Sequence, residues 1–195
     1  MGPGLYLRHQ RGAIKWSAIE LSGIDRHAPI VKSLVWPDEL ATQLFASRLA
    51  AQPELGHAFI ALHGDLGAGK TTLVRHLLHA LGVQGRIKSP TYAVVEAYEL
   101  PQLNVWHFDF YRFSDPREWE DAGFRDIFAS PGLKLAEWPE KAQAMLPIAD
   151  VDIHIMTAVD ATRQVTLTAN TATGATLLAG STPGSATSGI LGAVV

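Results

Sequence analysis

The apolar positions of this chain fall into short blocks whose spacing changes from strand-like to helix-like and back. Ala58-Phe59-Ile60-Ala61-Leu62 is an unbroken apolar run, long enough for a strand buried on both faces. Thr72 to Leu81 instead carries its apolar residues at helical spacing, and Gly82 marks the stop. Upstream, Pro29 to Leu34 predicts a first strand. Trp36-Pro37-Asp38-Glu39-Leu40 predicts a helix start, because proline and acidic residues belong in a first turn, and Leu40, Leu44 and Leu49 carry its apolar face to about Ala51. Downstream, Ala93 to Tyr98 and Asn104 to Asp109 read as strands joined by a turn at Glu99 to Gln102. Glu118 to Ala122 reads as a brief helix closed by Gly123. Leu133 to Glu137 is another strand, followed by Trp138-Pro139 and a turn of helix through Leu146. Val151 to Ile155 and Gln164 to Thr168 alternate apolar and polar residues, as half-exposed antiparallel edge strands do.

Between the buried strand and the helix after it lies Gly64-Asp65-Leu66-Gly67-Ala68-Gly69-Lys70-Thr71-Thr72, which satisfies the phosphate-binding P-loop pattern in full. Strand, glycine-rich loop and helix are the context that turns the pattern into a binding site. Successive backbone N–H groups and the positive end of the helix wrap a diphosphate. Lys70 then reaches the β- and γ-phosphates, and the Thr71 hydroxyl takes a place on Mg²⁺. The chain therefore binds a nucleoside triphosphate, with the base left open.

Composition narrows the class. The 195 residues are 47% hydrophobic and 18% charged, with a formal net charge of -3. That length suits one α/β domain with a core of its own. Acidic residues outnumber basic ones and no basic run occurs, which argues against a broad electrostatic grip on RNA or DNA. Cysteine is absent, excluding disulfides, thiolate catalysis and cysteine-ligated zinc. No stretch approaches a membrane span or a signal peptide, so the expectation is a soluble, cytoplasmic protein with no membrane partner.

The two ends read differently from the middle. Residues 1–28 show no sustained period and predict a poorly ordered or peripheral extension, with a short strand near Ala18-Ile19-Glu20-Leu21. Residues 29–169 predict the nucleotide-binding domain. From about Asn170 the composition falls into Thr, Ala, Gly and Ser, which predicts a disordered low-complexity tail over 170–195.

Hydrolysis at a P-loop needs carboxylates near the metal. Asp109 and Glu137 each close a strand-like run, so each is a candidate for Mg²⁺ or for positioning a water. Ser89 and Thr91, held by Pro90, either sense the γ-phosphate or form an ordinary turn. Arg112 either meets the phosphates or pairs with an acid. Trp138 either stacks on the ligand or packs on the sheet. His107, on a mainly apolar strand, reads as structural rather than as a base.

Taken in order, the glycine loop, Ser89-Pro90-Thr91-Tyr92, His107-Phe108-Asp109-Phe110-Tyr111-Arg112 and Glu137-Trp138-Pro139-Glu140 resemble the bacterial TsaE (YjeE) ATPases over about Val31 to Leu167. That family serves formation of threonylcarbamoyladenosine at position 37 of tRNAs. The resemblance implies that Gly64, Asp65, Leu66, Gly67, Ala68, Gly69 and Lys70 bind the phosphates of ATP or ADP. It puts Thr71 on Mg²⁺ with Thr72 beside it, and makes Glu137 a metal-site acid. It makes Asp109 a catalytic or metal-linked acid, sets Trp138 near the nucleotide, and makes Ser89 and Thr91 a switch-like element. Tyr111 and Arg112 share the same active face. It further implies TsaD and TsaB as partners, with tRNA reached only indirectly through them. The thirty or so N-terminal residues and the low-complexity end have no counterpart in the family pattern.

The expected architecture is a P-loop α/β fold, a mostly parallel central sheet flanked by helices, with additional antiparallel strands on one side. The expected reaction is ATP and water to ADP and phosphate, with Lys70, Asp109 and Glu137 as its catalytic residues. Two other readings remain at this stage. A small-molecule kinase would need an arginine-rich lid, for which Arg112, Arg117 and Arg125 look too scattered. A nucleotide-gated binding module would hydrolyse ATP only incidentally.

Overall fold

The computed structural model describes residues 29–182. The expected strand near Ala18-Ile19-Glu20-Leu21 and the last part of the tail, 183–195, lie outside the described residues.

Seven strands form one sheet: β1 (Ile30–Trp36), β2 (Phe59–His63), β3 (Val95–Leu100), β4 (Leu103–Asp109), β5 (Leu133–Glu137), β6 (Val151–Thr157) and β7 (Arg163–Ala169). Their order across the sheet is β1-β7-β6-β2-β5-β4-β3. The central strands β6, β2, β5 and β4 run parallel. Antiparallel pairings lie outside them, β7 and β1 on one side and β3 on the other. The mostly parallel centre is as expected, but antiparallel strands flank it on both sides rather than one.

Why β2 is apolar from Phe59 to Leu62 follows from its place. Ile60 and Leu62 point into a core under α1 (Glu39–Ala50), α2 (Lys70–Ala80) and α5 (Ala172–Ser181). Phe59 and Ala61 point the other way, into an aromatic core with Phe108, Phe110, Trp119 and Phe124 under α3 (Pro116–Asp121) and α4 (Phe124–Ala129). A strand covered on both faces needs apolar residues at every position.

Two expectations are corrected here. β6 and β7 are not edge strands: the edges among the described residues are β1 and β3. Their alternation reports one open face, since Val165 and Leu167 are buried while, on the opposite face, Gln164 is exposed and Thr166 and Thr168 are only partly covered. The low-complexity tail is also corrected over its first part. Residues 172–181 form α5, capped by the Thr171 hydroxyl accepting from Gly174 N at 3.1 Å. Leu177 and Leu178 are fully buried. The small residues that suggested disorder serve close approach: a Cβ on Gly174 would stand 2.0 Å from the Asp150 carbonyl oxygen. α4 was not anticipated at all; Gly123, at φ +67, ends α3 and caps α4.

Candidate active site

The parallel arrangement brings three strand ends together. The glycine loop leaves β2, Glu137 ends β5, and Asp109 ends β4 directly opposite Glu137 in the ladder. Open parallel sheets bind ligands in this crevice, outside the carboxyl ends of the strands.

Gly64 sits at φ +134, and a Cβ there would lie 2.2 Å from the Ile155 carbonyl oxygen, so no other residue fits. The loop then feeds α2, whose first residue is Lys70. Lys70 is buried, and its Nζ donates to the Gly64 carbonyl at 2.6 Å and the Asp65 carbonyl at 2.9 Å. Its Nζ also stands 3.9 Å from the centre of the Trp138 ring. Burial pushes the Lys70 ammonium below its ordinary pKa, while Glu137, Glu140, Asp109 and Asp65 pull the other way. Trp138 reaches this place through a left-handed backbone, φ 56 and ψ 46. For a bulky residue that geometry is a genuine outlier, and such strain gathers at functional sites.

Beside Lys70, the Thr71 hydroxyl contacts both Glu137 oxygens, at 2.9 Å (Oε1) and 2.8 Å (Oε2). His107 Nε2 lies 2.8 Å from Glu137 Oε1, with both side chains buried. The other ring nitrogen of His107, Nδ1, is buried without a partner. An unsatisfied buried polar atom costs about 1–3 kcal/mol.

Asp109 organises a different segment. Its Oδ2 accepts from the Ser89 hydroxyl and, at 2.9 Å, from the Thr91 hydroxyl, while Oδ1 accepts from Tyr111 N at 2.9 Å. Ser89 and Thr91 also contact each other at 2.7 Å. The polar turn around Pro90 is thereby fastened to the end of β4. Arg112 stands 4.3 Å over the ring of Tyr92, and among the described residues no acid pairs with it.

These groups line one cavity of about 270 Å³. Leu66, Gly67, Gly69, Lys70, Thr71 and Thr72 reach it from the loop and α2; Ser89, Thr91, Asp109, Arg112, Glu137 and Trp138 reach it from the other side, joined by Tyr111. Gly64 and Asp65 stand behind it and serve through their carbonyls. Ala68 is buried and faces the opposite side of the loop. Arg117 and Arg125 do not line the cavity, and Arg117 is paired with Asp115 at 2.7 Å.

Three features escaped the sequence reading. Arg163, the first residue of β7, donates to the Ala68 carbonyl at 2.8 Å and braces the loop from behind. It shares a second groove with Trp36, Asp38, Thr42 and Thr72, continuous with the loop on its far side. A lone arginine opening a strand carries no signal of this kind. The third is a pair of stacked imidazoles at the end of β2, His63 and His154, with ring centres 4.1 Å apart. Asp152 holds His63 at 2.9 Å, and Glu140 lies 3.6 Å from it.

Among the described residues no group of three or more His, Cys, Asp or Glu side chains is placed to enclose a metal ion. Thr71 and Glu137 nevertheless fit Mg²⁺, which is held by few protein oxygens and completes its shell with water and substrate phosphates. Both offer oxygen only, and they already meet at hydrogen-bond distance beside Lys70.

The family described as threonylcarbamoyl adenosine biosynthesis protein TsaE matches residues 36–165. A TsaE protein of Haemophilus influenzae is 42% identical over 146 residues, covering 73% of this chain and 92% of the relative. A TsaE protein of Bacillus subtilis is 36% identical over 143 residues, covering 71% and 87%. Among solved structures, the crystal structure of Bacillus subtilis YdiB superposes with a TM-score of 0.61 at 30% identity, over 77% of this chain and 94% of that one.

Proposed function

The chain belongs to the TsaE family, and we propose that it hydrolyses ATP in the cavity between the glycine loop and Glu137. It is a P-loop ATPase that assists threonylcarbamoyladenosine modification of tRNA. The observation that carries the site reading is the contact of the Thr71 hydroxyl with both Glu137 oxygens, one residue along from Lys70.

Each residue then has a physical task. The α2 N-terminus and the loop backbone receive the phosphates, and Lys70 exchanges its two loop carbonyls for phosphate oxygens. Thr71 and Glu137 would hold Mg²⁺, which would supply charge neutralisation on the phosphates. Asp109 fixes Ser89 and Thr91 at the rim, where their hydroxyls face the γ-phosphate and the attacking water. Trp138 covers Lys70 and keeps bulk water from the ammonium, so that its charge acts in a low-dielectric setting. Beyond the loop, the groove that Thr42, Thr72 and Arg163 line beside the edge of the buried Trp36 would take the nucleoside, offering hydroxyls and a guanidinium.

The finer assignment is the partner. TsaD and TsaB receive this protein in its nucleotide-bound form, and tRNA is reached only through them. Leu66, 77% exposed on the cavity wall, and Tyr92, 84% exposed beneath the Arg112 guanidinium, support a site finished by a second surface. The test is phosphate release by the purified protein alone and with TsaD, TsaB and tRNA, for wild type and Lys70→Ala. Release that rises with the partners and collapses in the variant is the expected result. Release indifferent to both partners and Lys70 would overturn the assignment.

A further inference from the structure

His107 is a histidine where packing alone asks for an apolar residue. It lies on β4 between Trp106 and Phe108, wholly buried, opposite Leu135 of β5 in the ladder. Its Nε2 meets Glu137 Oε1 at 2.8 Å, and its Nδ1 meets nothing. A leucine would fill such a position without stranding a polar atom. The one contact the ring gains for that cost is with the carboxylate that Thr71 also contacts.

We propose that His107 is a positioning residue for Glu137, fixing the carboxylate so that it presents its oxygens toward Thr71 and the metal side of the cavity. The inference rests on the reading of Glu137 as a metal-site acid. The Nε2–H tautomer donates to Oε1, and the unpartnered Nδ1 then carries only a lone pair, the less costly atom to leave unpaired in a dry interior. With Oε1 tied from β4 and both oxygens contacted from α2, Glu137 is held across two elements instead of swinging from β5 alone. Groups that orient a metal-binding carboxylate in this way typically govern metal affinity ten- to hundredfold.

The experiment reads metal coupling by binding, without turnover. A fluorescent ADP analogue is titrated into the full chain at graded Mg²⁺ and in excess EDTA, for wild type, His107→Leu, His107→Gln and Glu137→Gln. Mn²⁺ electron paramagnetic resonance reports the bound ion in parallel. His107→Leu is expected to raise the half-saturating Mg²⁺ about ten- to hundredfold while leaving nucleotide binding in EDTA within about twofold of wild type. His107→Gln, which keeps an N–H near the Nε2 position, is expected to recover most of the loss. If His107→Leu matches wild type while Glu137→Gln shifts, positioning by His107 is overturned and the metal role of Glu137 stands. If Glu137→Gln leaves the Mg²⁺ dependence unchanged, the reading of that acid fails and the inference fails with it. A His107→Leu protein that loses nucleotide binding equally in EDTA and Mg²⁺ marks His107 as structural, which also overturns the proposal.

Discussion

The Trp138 ring centre lies 3.9 Å from Lys70 Nζ, and Trp138 adopts a left-handed backbone to put it there. That conformation costs about 1–2 kcal/mol, against about 0.5–2 kcal/mol from an ammonium over an indole face. The two nearly offset, so Trp138 is poised and its surroundings change when Lys70 turns to a phosphate. Adding ATP or ADP is therefore expected to alter the protein's tryptophan emission. Trp138→Phe should remove the part of that change that survives in Trp36→Phe, whose ring lines the neighbouring groove, while Trp106→Phe preserves the whole. A change undiminished by Trp138→Phe would refute the coupling.

Gly64 offers a sharp test of the loop. Its φ of +134 and the 2.2 Å approach of a Cβ to the Ile155 carbonyl leave no room to relax, because the clash is with backbone. Gly64→Ala should cost about 2 kcal/mol or more and abolish nucleotide binding. Gly56→Ala, whose Cβ would meet only a Leu103 methyl at 3.6 Å, should do neither. Thermal unfolding and nucleotide titration of both variants decide it, and equal behaviour would contradict the account.

α5 makes the C-terminal segment part of the core. Leu177 is 0% and Leu178 1% exposed, and Lys32 of β1 donates to the Leu178 carbonyl at 3.0 Å. Leu177→Ala should destabilise the protein by about 2–5 kcal/mol, read as a lowered urea midpoint with the slope retained. A variant within about 0.5 kcal/mol of wild type would restore the tail reading.

The stacked histidines give the protein an acid-sensitive corner. Burial, and then the charge of His63, hold His154 below its ordinary 6.5, while Asp152 and Glu140 pull it upward. The unfolded chain therefore binds a proton near 6.5 that the folded chain refuses. Stability falls as pH drops from 6.5 through the lowered folded value, and His154 contributes nothing to the slope above that window. Asp152 acts lower: burial alone would raise it, but hydrogen bonds from His63 and Asn170 and the two histidine charges hold it under 3.8. His154→Gln should flatten the stability slope below about pH 6.5, as followed by urea midpoints. An unchanged slope would remove His154 from the effect.

What could be read from residues alone follows the range of the forces involved. The P-loop, β2 and α2 were legible because their chemistry is local: glycines, a lysine and a hydroxyl in one segment between two clear periods. Asp109 and Glu137 were legible as ends of apolar runs, though their opposition in the ladder is a property of the sheet. The contact of His107 with Glu137 spans 30 positions and the brace from Arg163 to Ala68 spans 95, and neither leaves a local trace. α5 was misread for a related reason. Gly174 looks like disorder until Asp150 is seen against it.

The most direct test of the central claim is single-turnover phosphate release by Glu137→Gln against wild type, with TsaD and TsaB present and ATP binding measured in the same samples. The account predicts a variant that still binds ATP but releases phosphate about a hundredfold more slowly or worse. Release at the wild-type rate from a variant with ATP bound would contradict it, and would place the chemistry outside the cavity shared by Lys70, Thr71 and Glu137.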